Sequence, residues 1–197
     1  MADSFKTIDS PSEGIYKEKM SKFLAFAHPV YDVTEAKSVL AQYQRKYHDA
    51  RHVCWAYMLG ASRTDFQCND NGEPSGTAGK PILGQINSFG LTNIIIIVVR
   101  YFGGIKLGTG GLTVAYKEAA RMAIENAQIV EGHEMTDITF SFSYIAMNDV
   151  MKIVKNQSVD IISQQFDNSC FMTVRTPSDN AAELIGRLSA IDSVSIC

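Results

Sequence analysis

Hydrophobic and polar positions along this chain change period several times, and each change marks an element. Residues 4–8 and 21–30 read as strands, the second (SKFLAFAHPV) dense in aromatic and apolar residues. Asp32 or Thr34 can cap a helix in which Val33, Ala36, Val39, Leu40, Tyr43 and Tyr47 recur at helical spacing. Strands are predicted over 52–59 and from about Phe66 towards Asn69, then a helix over about 78–87 with Pro81 near its first turn. The apolar run Ile94 to Val99 is far short of the ~20 residues that cross a bilayer. It suits a strand, 93–101, buried on both faces. A loop over 102–111 then leads into a helix over 112–128, with Leu112, Ala115, Tyr116, Ala119, Met122, Ala123 and Ile124 inward.

A domain boundary is predicted near 130–134, dividing the chain into 1–131 and 132–197. Beyond it, Ile138, Phe140, Phe142 and Tyr144 alternate on one face of a strand over 136–144. A helix over 148–157 follows, with Asn148 as its cap, then strands over 160–166 and 170–176 around a turn at Asp167-Asn168. Ser178 or Asp179 caps a second helix ending near Ser189, and residues 194–197 form a last strand. The order βαββαβ is the split pattern of a ferredoxin-like domain, so the fold class is α+β in two domains.

Composition narrows the function classes. With 46% hydrophobic and 20% charged residues in 197, the chain is an ordinary globular protein rather than a disordered or fibrous one. A net charge of -3 argues against coating nucleic acid by bulk attraction. The charge is uneven, however: residues 131–197 hold 4 Lys+Arg against 9 Asp+Glu, so the remainder is slightly basic. The acidic segment suits a protein partner or a basic ribosomal surface. Cys54, Cys68, Cys170 and Cys197 show no paired spacing, and the polar start MADSFKTIDSPSEG shows no secretory signal. The expectation is therefore reduced thiols in a cytoplasmic protein that enters no membrane.

Ten of the 14 glycines lie between Gly72 and Gly111, eight of them in two segments, 69–81 and 98–112, that frame the 93–101 strand. Each segment leads into a helix, so each is expected to aim unpaired N–H groups outward, a geometry that attracts phosphate or carboxylate. The anion- or nucleic-acid-binding set in the first segment is Glu73, Ser75, Gly76, Thr77, Gly79 and Lys80. In the second it is Arg100, Tyr101, Phe102, Gly103, Gly104, Lys106, Gly108, Gly110 and Gly111, with His52, Asp70 and Asn71 in support. Thr109 follows Gly108 where a Walker A loop needs lysine, and no dinucleotide fingerprint occurs. The plain alternative is that these glycines only permit tight turns and close packing.

His48 and His52 stand four apart, but across a helix end, which spoils ligand geometry. His52 and Cys54 share a strand face and invite a Cys–His nucleophile; the reading taken is core packing. No metal site is expected, and no cofactor. Lys17, Lys19, Lys22, Arg45, Lys46, Arg51 and Arg63, interspersed with Tyr16, Tyr43 and Tyr47, read as a solvated face with core tyrosines.

These motifs carry a resemblance. SKF at 21–23, H-x-C-W-A-Y at 52–57, NGEPSGTAGKPIL at 71–83 and VVRYFGGIKLGTGGL at 98–112 with AY at 115–116 resemble the YigZ/IMPACT family over about two-thirds of the chain. The resemblance implies an N-terminal domain of the superfold shared by a small-subunit ribosomal protein (its domain 2), the fourth domain of elongation factor G and the GHMP kinases. It implies a C-terminal domain similar to the last domain of elongation factor G. Eukaryotic relatives regulate translation by competing for an activator of an initiation-factor kinase. The chain is expected to lack their extra N-terminal domain, and it carries Asn71 where the family loop reads D-D-G-E-P. The reading taken is a non-enzymatic factor near translation that binds RNA, the ribosome or a protein partner. The competing readings are an enzyme on a small phosphorylated ligand and a scaffold working through its acidic C-terminal domain.

Overall fold

The structure, a computed structural model, describes residues 4–157, 159–166 and 170–197. Contacts divide it into two compact units, one spanning Phe5–Gly132 and one formed mainly by His133–Cys197.

The larger unit contains β1 (Ser4–Ile8), β2 (Ser12–Glu18), β3 (Ser21–Pro29), α1 (Val33–Lys46), β4 (His52–Leu59) and β5 (Asp65–Asn69). It continues through α2 (Gly79–Ser88), β6 (Ile94–Tyr101), α3 (Gly108–Glu125) and β7 (Ile129–His133). Five strands form one antiparallel sheet in the order β2-β3-β6-β4-β5. The central strand β6 explains its own sequence. Helices α2 and α3 cover one face, packing on Ile94, Ile96 and Val98, while α1 covers the other over Ile95, Ile97 and Val99. All six of these side chains are at most 1% exposed, each burial contributing ~1.5–3 kcal/mol. Asp32 caps α1 by accepting from the Glu35 N–H at 2.8 Å.

Two strands carry no sequence signal. The inward positions of β2 are Ser12 and Gly14 rather than large apolar groups. Ser12 Oγ donates to the Ala123 carbonyl at 2.7 Å, and a Cβ on Gly14 would meet the Ala123 nitrogen at 2.5 Å. The helix backbone lies directly on the strand, so small residues replace the expected alternation. β7 pairs with β1 in a separate two-stranded sheet at the predicted boundary. Helix α3 begins at Gly108, not at residue 112, so Gly110 and Gly111 lie in its first turn; Met122 is only half-buried.

The smaller unit contains β8 (Met135–Phe142), α4 (Met147–Asn156), β9 (Asp160–Phe166), β10 (Cys170–Pro177), α5 (Ser178–Ser189) and β11 (Ser195–Ile196). Its sheet order is β11-β8-β10-β9, and Phe140, Val150, Met172, Val174, Leu184 and Leu188 fill its core. Tyr144 departs from the predicted strand: it sits in a short 3-10 turn and is 74% exposed. The helix caps also differ. Ala146 precedes α4 and Pro177 precedes α5, neither with a side-chain cap. Ser178 instead pairs its hydroxyl with that of Thr136 at 2.7 Å. The predicted turn at Asp167-Asn168 lies outside the described residues. The fold is α+β with antiparallel sheets, and among the described residues no helix is long and apolar enough to cross a membrane.

Candidate functional site

The expectation of outward-facing N–H groups fails at the first glycine segment. Asp70 Oδ1 accepts from the N–H groups of Ala78 at 3.0 Å and Gly79 at 2.8 Å, and Oδ2 accepts from Gly76 at 2.8 Å. The start of α2 is therefore filled by the chain's own anion. Burial raises the Asp70 pKa, but the three N–H bonds and nearby Lys80 outweigh it and hold the carboxyl below its usual range. Glycine is needed at Gly79 for this approach, since a Cβ there would meet the Asn69 nitrogen at 2.7 Å. Thr77 is turned inward, its hydroxyl donating to the Pro74 carbonyl at 2.6 Å, while Ser75 and Lys80 are exposed.

The turn that presents Asp70 uses the Asn71 substitution. Glu73 N–H donates to the Asp70 carbonyl at 3.0 Å, with Asn71 at φ 43° and Gly72 at φ 82°, a turn whose two central residues both need positive φ. Asparagine tolerates that region, and its Oδ1 accepts from the Val53 N–H at 2.8 Å, tying the turn to β4. His52 Nδ1 lies 2.9 Å from the Asn71 carbonyl, which requires the proton on that nitrogen. His48, in the turn between α1 and β4, shares no helix face with it.

Behind this turn runs a buried polar chain. Arg100 Nη1 donates to Glu73 Oε1 at 2.6 Å, and the Tyr116 hydroxyl donates to the same oxygen at 2.8 Å. The Cys54 thiol lies 3.3 Å from the Tyr116 oxygen and 3.0 Å from the Asp70 carbonyl. Burial pushes the Cys54 pKa up to about 12, and burial likewise raises that of Tyr116. A thiol so protonated is no nucleophile at neutral pH, so Cys54 is a core group. Asp70 thus accepts from three backbone N–H groups and Glu73 Oε1 from Arg100 and Tyr116. No cluster of three His, Cys, Asp or Glu suited to a metal occurs among the described residues.

The second glycine segment is different. Gly103 lies on the Met20 and Ser21 backbone, where any Cβ would collide, and its N–H donates to Ser21 Oγ at 3.2 Å. Gly104 and Gly108 take φ 89° and 72°. The 18-residue helix α3 then starts after Leu107 with no side-chain cap and no acidic residue in its first turn. A pocket of ≈ 410 Å³ opens there. His52, Glu73, Arg100, Phe102, Lys106 and Gly108 of the predicted set line it, joined by Arg51 and Thr109. Arg100 is buried, its side chain 8% exposed, and its Nε has no hydrogen-bond partner among the described residues. Of the remaining predicted residues, Asp70, Asn71, Ser75, Gly76, Thr77, Gly79, Lys80, Tyr101, Gly103, Gly104, Gly110 and Gly111 do not line this pocket. Tyr101 donates to Asp49 Oδ1 at 2.9 Å instead.

Residues 19–124 match the Impact N-terminal domain. An Escherichia coli protein, IMPACT family member YigZ, is 31% identical over 182 residues, covering 91% of this chain and 89% of its own. The chain belongs to the IMPACT family. A solved structure described as that of an hypothetical protein covers 100% of the chain and 97% of its own at 29% identity, with a TM-score of 0.78. A structure of the two-domain translational regulator Yih1 overlaps 62% of this chain and 47% of its own at 22% identity, with a TM-score of 0.37. Every residue that lines the pocket lies within the IMPACT segment. Arg51 stands one position before the H-x-C-W-A-Y run and lines the pocket next to His52, which pairs with Arg100 across β4 and β6.

Proposed function

We propose that this IMPACT family protein is a cytosolic, translation-associated factor that binds RNA, seating a backbone phosphate at the start of α3. One observation carries the reading. The uncapped start of an 18-residue helix and a buried Arg100 with an unpartnered Nε border the same pocket. A helix start offers N–H groups and a positive dipole end, and an orphaned buried guanidinium nitrogen is costly until an acceptor reaches it. The exposed Lys106 and Arg51 add positive charge to the pocket lining. Glu73, fixed on Oε1 by both Arg100 and Tyr116, acts as a clamp on Arg100, which supports binding rather than chemistry. Family membership supports the translation setting. The acidic C-terminal segment would repel the same polyanion, so RNA contact is assigned to the Phe5–Gly132 unit and a protein partner to the other.

RNA binding is measured across a salt series with the wild type and with Arg51→Ala and Lys106→Ala, both exposed positions. Each lost phosphate contact lowers the slope of log K against log salt by ~0.7 for a single strand. Equal affinities for all three proteins at every salt concentration overturn the proposal.

A further inference from the structure

Phe102 stands 55% exposed at the edge of the pocket, and the Arg100 guanidinium lies 5.6 Å from its ring centroid and 5.6 Å from that of buried Phe23. Its neighbour Gly103 is seated on the tip of the β2–β3 hairpin, against the Met20 and Ser21 backbone. That tip is unusual in two independent ways. Lys19 and Met20 both hold positive φ, 44° and 67°, although neither is a residue that favours it, and Met20 is 81% exposed. Just below them, Lys17 stands directly opposite Lys22 in the strand register, with Lys19 between them in sequence. All three lysines are exposed, and among the described residues none is ion-paired. Like charges directly opposite each other weaken a strand pair. The nearest carboxylate in sequence, Glu18, accepts from the Tyr16 hydroxyl at 3.2 Å.

We infer that the ligand is a single strand of RNA whose path runs from the α3 start, across Phe102, onto the basic tip of the β2–β3 hairpin. The inference rests on the phosphate-binding reading above and names the substrate class for that site. A base freed from stacking can lie on the exposed Phe102 ring, whose other neighbour is a guanidinium, a sequence-tolerant contact. A duplex keeps its bases stacked inside and offers that ring no π-face. The next phosphates then meet Lys19 and the opposed Lys17 and Lys22, whose mutual repulsion a polyanion relieves. Gly103, the residue after Phe102, rests on the Met20 and Ser21 backbone, so the ring adjoins the hairpin tip. Lys22, opposite Tyr101 in the β3–β6 register, and Lys17 lie on the sheet face away from Arg100, and the RNA strand reaches them by passing over that tip.

The test compares a fluorescein-labelled oligouridylate of about 12 nucleotides with a duplex of equal length, within the range of single-strand site sizes. Four proteins are titrated across a salt series: wild type, Lys106→Ala, Phe102→Ala and the double variant Lys17→Gln/Lys22→Gln. The altered residues are exposed, and thermal melting verifies that each variant folds. The expected result is preference for the single strand, at least about fivefold weaker binding by Phe102→Ala with the salt slope unchanged, and a slope reduced by ~1.4 in the double lysine variant. Binding that Lys106→Ala weakens, but that ignores strandedness, Phe102 and the hairpin lysines, overturns this inference and leaves the phosphate site standing. Absence of binding to either RNA at low salt overturns both.

Discussion

Arg100 and Glu73 meet at 2.6 Å with side chains only 8% and 3% exposed, joining the end of β6 to the glycine turn that follows β5. Two charges removed from water in this way hold one another in place, because neither has a solvated alternative. Glu73 also accepts from Tyr116 on α3, so one carboxylate fixes the turn, the central strand and the helix that starts beside the pocket.

Breaking that pair from one side leaves a bare buried charge. Glu73→Gln and Arg100→Met are each expected to cost ~3–5 kcal/mol of unfolding free energy. The double variant, in which the introduced amide oxygen can still accept from Tyr116, is expected to cost clearly less than the two singles added together. Urea unfolding of the four proteins measures this, and strict additivity would refute the coupling.

Asp70 predicts an acid-dependent stability. Its folded pKa is held below the unfolded value of ~3.9. Its contribution is therefore complete above that value and is lost as pH falls through the folded pKa. Asp70→Asn keeps the shape but turns an N–H donor towards one of the three backbone donors. It is expected to cost ~0.5–2 kcal/mol at neutral pH and to flatten the stability curve on its acid side. Denaturant unfolding from neutral to strongly acidic pH gives both readings; an unchanged acid limb would count against the cap.

The cysteines should separate by burial. Cys197 is exposed, whereas Cys54 is fully buried with its pKa pushed up to about 12. Alkylation of the native protein at mildly alkaline pH, read by peptide mass spectrometry, should modify Cys197 and spare Cys54 until denaturant is added. Equal rates at both positions would show that Cys54 is accessible.

Two glycines should respond to alanine with opposite signs. At Gly103 a Cβ collides with the Met20 and Ser21 backbone, which cannot swing aside like a side chain, so Gly103→Ala should destabilise by ~1–3 kcal/mol. It should also weaken RNA binding by displacing Phe102 from the hairpin tip. Gly186 lies inside α5 with no atom within 4 Å of the added Cβ, so Gly186→Ala should stabilise by ~0.5–1 kcal/mol. Melting of each variant against the wild type settles the signs.

Elements with strong local signals were legible along the chain. The unbroken apolar run gives β6 because a central strand buries both faces, and Asp32 with a helical stripe gives α1 because cap and period agree. β2 was not legible, since its inward residues Ser12 and Gly14 are small to admit the α3 backbone, a demand made by an element about a hundred positions away. Tyr144 continued the alternation of β8 on paper, yet the pairing of β8 with β10 ends at Phe142 with Cys170. The cationic residues at the pocket were legible where they fell inside a glycine motif, as Arg100 and Lys106 did. Arg51 was visible only as one basic residue among several.

Residue order alone carries the periodicities, the concentration of glycine and the two segments able to present N–H groups at a helix start. It does not say which of those starts is already occupied. Packing settles that: Asp70 folds back onto Gly76, Ala78 and Gly79, while the start of α3 receives no side chain and opens beside Arg51, Arg100 and Lys106. The reason is physical. A hydrogen-bonding group declares its capacity in the local sequence, but whether that capacity is spent depends on which distant side chain the fold brings within 3 Å.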